Sequence, residues 1–318
     1  TQVRSHLPAG EYILSRKYDG EFTVLLFREG EACCVNPGGT VRIGLPCLAE
    51  LADRLRRAGV RDALIAGELY FRPRDGGRER VHDVSRAARR PTGQDDLDRL
   101  CFVAFDLLEL DGAAPPARYA DAVARLSRWL DGGDRVAAIV GVSVKTADDI
   151  DTQFARLVTT EGAEGLVLRS DVAGRFKVKP RHTIDAVVVG FTETANTDGA
   201  RQGMLHDLLL ALCRPDGSLH ILGHVGTGFT DEQRRSFLSD LKDQAVASDY
   251  SEPGDGHVAY QMVRPSWVVE IICLDLISQS TRGASIDRMA LRWDAVAGRY
   301  LPLRRLPLVS LISPVLKS

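Results

Sequence analysis

The sequence predicts two domains of different class: an α/β domain up to about residue 183, then a smaller β-barrel-like domain carrying one helix. Three observations predict this. A length of 318 residues suits about two domains. Strand-like and helix-like stretches alternate through the first half. From Ile184 the texture turns β-rich, with one helical stretch at about 231–245. In order, residues 11–35 read as two strands around the turn Arg28-Glu29-Gly30-Glu31, because branched and aromatic residues flank it. Residues 47–58 (CLAELADRLRRA) space their apolar side chains as a helix does. Ala63 to Phe71 and Cys101 to Leu110 read as strands, 118–130 and 147–160 as helices, and Glu164–Ser170 and Phe176–Lys179 as short strands. DAVVVGF, MLHDLLLALC, HILGHVGTGF and WVVEIICLDLIS then alternate with turn signals such as Pro215-Asp216-Gly217.

Composition narrows the function classes. Apolar content of 44% with 26% charge is ordinary for a globular chain, and a net charge of −2 exerts no global pull on polyanions, so a nucleic-acid site has to be a local patch. Six cysteines (33, 34, 47, 101, 213 and 273) lie mostly in apolar runs without a Cys-x-x-Cys pair, which leads us to expect buried thiols and a reducing, cytoplasmic setting. There is no signal-peptide pattern and no apolar run of membrane length, so no membrane partner is expected. Thr1 stands where an initiator methionine would, and residues upstream are expected.

Lysine is the informative residue. Of 41 basic residues only six are lysine (17, 145, 177, 179, 242 and 317) and the other 35 are arginine. Where a cation alone is needed this chain uses arginine, so a retained lysine points to work that arginine cannot do. A lysine amine can be made neutral and nucleophilic; a guanidinium cannot. Lys17 sits in Lys17-Tyr18-Asp19-Gly20. By itself this short motif is equally readable as a strand end and turn with an exposed lysine.

Further along come Ala66-Gly67-Glu68-Leu69, Phe105-Asp106-Leu107-Leu108-Glu109-Leu110-Asp111-Gly112, Glu164-Gly165-Leu166-Val167-Leu168-Arg169 and Phe176-Lys177-Val178-Lys179-Pro180. Each is weak alone, but the series resembles, in order and spacing, the motifs of the covalent nucleotidyltransferase superfamily, and most closely the ATP-dependent DNA ligases. The resemblance spans roughly residues 10–280, since DAVVVGF, LLLAL and GHVGTGFT are similar to the OB-fold domain that follows in those ligases. It implies an α/β nucleotidyltransferase (adenylation) domain over residues 1–183, ATP-grasp-like with antiparallel sheets, and a β-barrel OB-fold domain over 184–318.

The resemblance also implies roles. Lys17 would attack the α-phosphate of ATP and carry AMP; Glu68 would bind the ribose and Phe105 stack on adenine. Glu164 would help hold Mg²⁺ (or Mn²⁺), and Lys177 and Lys179 would contact the α-phosphate. Physical chemistry agrees. A lysine nucleophile must lose a proton from a reference pKa near ~10.4, which neighbouring cations favour. The same cations stabilise charge on phosphorus and on departing pyrophosphate. Lys177-x-Lys179 puts both ammoniums on one face of a strand. Plainer readings stand beside these: Glu68 as a surface carboxylate, Phe105 as core, Glu164 as a turn cap, the lysine pair as a solvated face. His220 and His224, four apart in β-like sequence without a third ligand, read as structural, and Gly226-x-Gly228 as turn geometry.

Two arginine-rich stretches are the candidate polynucleotide surface. One holds Arg72, Arg74, Arg78, Arg80, Arg86, Arg89 and Arg90 against Asp75, Glu79 and Asp83. The other holds Arg282, Arg288, Arg292, Arg299, Arg304 and Arg305 against Asp287 and Asp294. Such patches suit phosphate contacts, and solvated loops in an arginine-rich chain are the plainer account. The expected function is an ATP-dependent polynucleotide ligase joining 5′-phosphate and 3′-OH ends of DNA. The alternatives are an RNA ligase, a GTP-using RNA capping enzyme or a non-catalytic OB-type nucleic-acid binder. Departures from the family's pattern qualify this. Phe22 stands where DNA ligases usually carry arginine, Asn36-Pro37-Gly38-Gly39 lacks the arginine of a Ser-Arg-x-Gly core, and no final Arg-x-Asp-Lys motif is evident by Ser318. With two phosphate contacts missing, self-adenylation is expected to outpace sealing unless a partner or fused domain presents the ends.

Overall fold

The computed structural model describes residues 7–74, 76–77, 79–194, 202–254, 258–280 and 284–318. The chain divides into two compact units, Thr1–Pro180 and Arg181–Ser318.

The first unit holds two antiparallel-rich sheets. Its strands are β1 (Tyr12–Lys17), β2 (Glu21–Arg28), β3 (Glu31–Val35), β4 (Val41–Arg42), β5 (Asp62–Phe71), β6 (Leu100–Leu110), β7 (Val136–Ala138), β8 (Val142–Val144), β9 (Gly165–Ser170) and β10 (Gly174–Val178). Among the described residues they form a six-stranded sheet ordered β4-β3-β2-β5-β6-β7 and a four-stranded sheet ordered β10-β9-β1-β8. Residues 11–35 thus hold three strands rather than two. The turn at Glu29-Gly30 is where the sequence puts it, but the chain also breaks at Tyr18-Asp19-Gly20 and passes from one sheet to the other. Gly20 is required there, because a Cβ would lie 2.4 Å from the Leu69 carbonyl oxygen and 2.8 Å from Glu68 Cγ.

Helix α1 (Pro46–Arg57) buries Cys47, Leu48, Leu51, Ala52 and Leu55 on one stripe. Pro46 is tolerated in its first turn, where the backbone N–H has no helical partner. With α2 (Val81–Arg89), the short α3 (Gln94–Asp98) and α4 (Tyr119–Leu130) it covers one face of the six-stranded sheet, and Leu25, Phe27, Ile65, Leu69, Phe102 and Leu107 fill that core. A second core under the four-stranded sheet gathers Tyr12, Leu14, Leu166 and Leu168 with α5 (Ala147–Phe154), which Thr146 and Asp149 cap reciprocally. The helix expected over 147–160 changes character at its end. Ala155–Thr160 is a π turn, and Ala163 N–H then donates to the Leu157 carbonyl at 2.9 Å just ahead of Glu164.

Among the described residues the second unit is β-rich with one helix, α6 (Asp231–Lys242), capped by Thr230 and Gln233; it ends three residues short of the expected 231–245 stretch. Nine of its strands join one sheet, in which β11 (His182–Glu193), β12 (Leu205–Cys213) and β13 (Leu219–Val225) form an antiparallel meander. His220 meets the Arg288 carbonyl at 3.2 Å and packs within the fold, as a structural histidine does. Gly228 has φ +93°, and a Cβ there would meet the Leu316 carbonyl oxygen at 2.5 Å. All six cysteines are free thiols; Cys34, Cys47, Cys101 and Cys273 are buried, Cys33 is half-buried and Cys213 exposed. Among the described residues no helix is long and apolar enough to cross a membrane.

Candidate active site

Strand register assembles the site. β1 runs antiparallel to β9 with Lys17 opposite Gly165, and β10 runs antiparallel to β9 with Lys177 opposite Val167. The C-terminal ends of β1 and β10 therefore both lie beside the start of β9, where Glu164 enters. Because side chains alternate across a strand, Lys17, Gly165, Val167, Arg169, Arg175 and Lys177 share one face of this sheet. Tyr12, Leu14, Leu166, Leu168 and Phe176 share the other and pack into the core. One face is apolar, the other cationic. Gly165 allows the strands this close: a Cβ would lie 2.4 Å from the Val178 carbonyl oxygen and 3.3 Å from Lys179 Cα.

On the cationic face, Glu164 accepts from two ammoniums, Lys17 Nζ on Oε2 and Lys179 Nζ on Oε1 at 2.5 Å. Glu164 is buried, which alone would raise its pKa, yet the hydrogen bonds and charges of Lys17 and Lys179 outweigh burial and hold it below the ordinary carboxylate value. Glu68 behaves oppositely. Burial pushes its pKa up to about 7, the charges of Lys17 and Lys177 and the Gly20 N–H oppose that rise, and Glu164 adds to it. Two carboxylates with separated pKa values and three lysines thus act on one another. Lys177 is exposed and reaches this group through charge rather than contact.

The six-stranded sheet supplies the opposite wall. Glu68 on β5 lies directly across from Phe22 on β2, on the face away from the helices, and Ala66 beside it pairs with Asp106 of β6. Arg169, reaching from β9, donates to Asp106 at 2.8 Å and ties the two sheets together. Its guanidinium lies over the Phe105 ring at 4.7 Å and over Tyr119 at 4.8 Å. Tyr119 in turn donates its hydroxyl to the Phe105 carbonyl at 2.8 Å. Phe105 is half-buried at this wall, its ring 6.0 Å from that of Phe22. The structure thus brings together all six residues singled out from the sequence for nucleotide chemistry: Lys17, Glu68, Phe105, Glu164, Lys177 and Lys179.

Sequence reasoning missed Arg169. It stood in the Glu164–Arg169 run, and period-two alternation from Gly165 puts it on the lysine face, which was the available signal. It also missed Glu21, which pairs with the buried Arg42 (2.5 and 3.0 Å) and accepts from Asn36 Nδ2 at 2.9 Å, fixing the Asn36-Pro37 turn.

The arginine stretch after β5 is less open than its composition suggests. Arg72 pairs with Asp134 at 3.2 Å, Arg74 with Asp95 at 2.6 Å, and Arg86 with Asp96 at 3.1 Å. These acids lie outside the window from which the charge excess was read. Arg74, Arg80 and Arg99 line a cavity of about 490 Å³ with Phe71 and Asp83, while Arg89 and Arg90 are exposed. Arg78 and Arg282 lie outside the described residues.

Comparison with known proteins decides the family. Residues 201–295 match the family described as "ATP dependent DNA ligase C terminal region". A probable DNA ligase of Streptomyces griseus is 31% identical over 254 residues, covering 74% of this chain and 47% of the relative. The chain belongs to the ATP-dependent DNA ligase family. A probable DNA ligase of Mycolicibacterium gilvum is 32% identical over 272 residues, 80% of this chain and 49% of the relative, so this family member spans about half the length of the curated relatives it matches. The solved structure Pmar-Lig_PreS3 shares the fold at TM-score 0.64 and 17% identity, covering 98% of this chain and 63% of the other. A structure from work on Lig E DNA ligases, described as "DNA binding with a minimal scaffold", shares it at TM-score 0.52 and 18% identity, covering 95% of each chain. The sheet-rich mixed fold of this ligase-family chain is therefore that of ATP-dependent DNA ligase domains.

The donor set fits the groups this family uses. Among the described residues no cluster of three or more histidine, cysteine or acidic side chains could hold a metal. Glu164 offers one buried carboxylate, the kind of ligand Mg²⁺ takes singly or in pairs before completing its shell with substrate phosphate oxygens and water, but Lys17 and Lys179 occupy both of its oxygens and one of them would have to turn away for the ion.

Proposed function

We propose that this chain is an ATP-dependent DNA ligase that joins 5′-phosphate and 3′-OH ends through a lysyl-AMP intermediate on Lys17. The observation that carries the reading is the convergence of Lys17 and Lys179 on Glu164, with Glu68 and Phe105 on the facing sheet. In the first step the Lys17 amine, having lost a proton, attacks the α-phosphorus of ATP; an N–P bond forms and the P–O bond to pyrophosphate breaks. A 5′-phosphate oxygen then attacks the AMP phosphorus and frees the lysine. Attack of a 3′-OH on the activated 5′-phosphate releases AMP and seals the strand.

The chain's own residues divide this work. Lys177 and Lys179 stabilise charge on the phosphate oxygens, each removal plausibly costing ~3 kcal/mol or more of barrier. Glu68 accepts from ribose hydroxyls and Phe105 stacks on adenine. Glu164 would hold a divalent cation, Mg²⁺ or Mn²⁺, whose charge would favour the neutral lysine and offset the phosphates. We assign residues 1–183 to the adenylation domain and 184–318 to an OB-fold domain, which the two-unit division and the β-rich second unit support. Arg89 and Arg90, both exposed, are the arginines of the first stretch we assign to DNA phosphates. DNA is favoured over RNA by the names of the relatives.

The test is incubation with labelled ATP or GTP and a divalent metal, followed by transfer to nicked DNA, nicked RNA and hybrids. ATP-dependent labelling with sealing of a DNA-containing nick is the expected result. Labelling by GTP alone, or sealing confined to RNA, would replace the reading with capping or RNA ligation.

A further inference from the structure

We infer that Glu79 is a positioning residue for Lys17: it holds the Arg16 side chain and, through it, the end of β1 from which the nucleophile projects. This deepens the proposed function and rests on Lys17 being the residue that takes up AMP.

β1 is supported unevenly along its length. Tyr12, Ile13 and Leu14 pair with β8 on one side, and Ile13 to Lys17 pair with β9 on the other. Among the described residues β1 therefore has a strand neighbour on one side only from Ser15 onward, and after Lys17 the chain leaves for the other sheet. One-sided backbone pairing leaves such an end prone to fray. A nucleophile that must meet phosphorus at near-attack distance needs a firmer mount.

The two residues flanking Lys17 supply it. By alternation Arg16 points to the face opposite Lys17, the face of Tyr12 and Leu14, which are buried apolar residues, so packing alone would favour a hydrophobe there. One terminal nitrogen of Arg16, Nη2, instead donates to both carboxylate oxygens of Glu79, at 2.9 and 2.8 Å. The guanidinium lies over the Tyr18 ring at 4.6 Å, and that ring packs against Tyr70 of β5 with centroids 4.9 Å apart. Arg16 and Tyr18 are thus joined across Lys17, and the join is anchored to the six-stranded sheet. The side chains of Glu79 and Arg16 are only 12% and 30% exposed, so water screens this pair less than a surface pair. Arg16 Nε is buried and meets no acceptor, so the guanidinium is oriented through Nη2 and Glu79. Glu79 itself stands two residues ahead of α2, whose Val84 and Ala87 are fully buried. The link reaches the amine as well. Lys17 Nζ donates to the Tyr18 carbonyl at 3.3 Å, so a shift of Tyr18 moves a group that orients the nucleophile.

The experiment uses the full 318-residue chain and measures single-turnover self-adenylation at saturating ATP, affinity for α,β-methylene-ATP (which cannot transfer AMP) and thermal melting. The variants are Glu79→Ala, Glu79→Gln and Glu79→Ala combined with Arg16→Met. Glu79→Ala is expected to adenylate about tenfold more slowly, part of the hundredfold that a 1 Å misplacement can cost, with nucleotide affinity unchanged. Glu79→Gln, whose amide oxygen still accepts from Arg16, should stay within about threefold of the parent rate. The double variant leaves no unpaired charge, so it should melt near the parent yet adenylate as slowly as Glu79→Ala. If its rate recovers together with its melting temperature, the pair serves stability alone and the inference is overturned. Parent-like rates in both alanine variants, or weaker analogue binding with an unchanged saturated rate, would overturn it too. If the parent chain itself gains no AMP on Lys17, the proposed function fails first and the inference falls with it.

Discussion

At the residue scale, the site's two carboxylates make opposite predictions. Glu68 has a folded pKa of about 7 against an ordinary 4.5, so between these values the folded chain binds a proton that the unfolded chain does not. Its contribution to stability is therefore most favourable below about pH 4.5, falls as pH rises and levels off above pH 7. Glu68→Gln removes that dependence, and denaturant melts should show the variant gaining on the order of 2–3 kcal/mol over the parent at pH 8 and little at pH 4.5. Equal differences at both pH values would show that Glu68 is not buried beside these charges. Glu164, held below its ordinary value by Lys17 and Lys179, stabilises the fold above pH 4.5 and loses that contribution as pH falls further.

At the scale of elements, the site depends on how closely strands approach. In Gly165→Ala the new methyl would meet the Val178 carbonyl oxygen at 2.4 Å, so β9 and β10 must part. We expect about 1–3 kcal/mol of destabilisation in melts, and a larger fall in self-adenylation because Lys179 moves with β10. An unchanged adenylation rate would show that this register does not position the lysines. Arg169→Met breaks the tie between the sheets and leaves Asp106 unpaired, costing on the order of 3 kcal/mol, and a double-mutant cycle with Asp106→Asn should return a coupling of about 1 kcal/mol or more. Additive effects would contradict the tie. What was legible in the sequence follows from the same geometry. Strand β5 and helix α1 were readable because their apolar periods record burial. The break at Tyr18-Asp19-Gly20 was not, since alternation does not record which sheet a strand joins. The arginine stretch was over-read because its partners Asp95, Asp96 and Asp134 come from later in the chain. Lys17, Glu68, Phe105, Glu164, Lys177 and Lys179 were legible because their motifs occur in series, whereas Arg169 acts through a pair formed across two sheets.

At the scale of the whole molecule, the proposed chemistry divides between a step that needs only ATP and steps that need a positioned polynucleotide. Phe22 binds no phosphate, and Asn36 is committed to Glu21. Two contacts expected to hold DNA ends are therefore missing, and small displacements of reacting atoms can cost about a hundredfold in rate. Single-turnover self-adenylation should be fast and sealing of an all-DNA nick by this chain slow, with sealing raised by a partner or fused domain that presents the ends. Fast sealing by the chain alone would show that its arginine surfaces suffice. Every one of these steps presupposes that Lys17 is the nucleophile. Peptide mapping by mass spectrometry after incubation with ATP and Mg²⁺ or Mn²⁺ tests this most directly. The account predicts an AMP adduct on Lys17 that disappears in Lys17→Ala and is not restored in Lys17→Arg. An adduct on another lysine, or none with either metal, would contradict it.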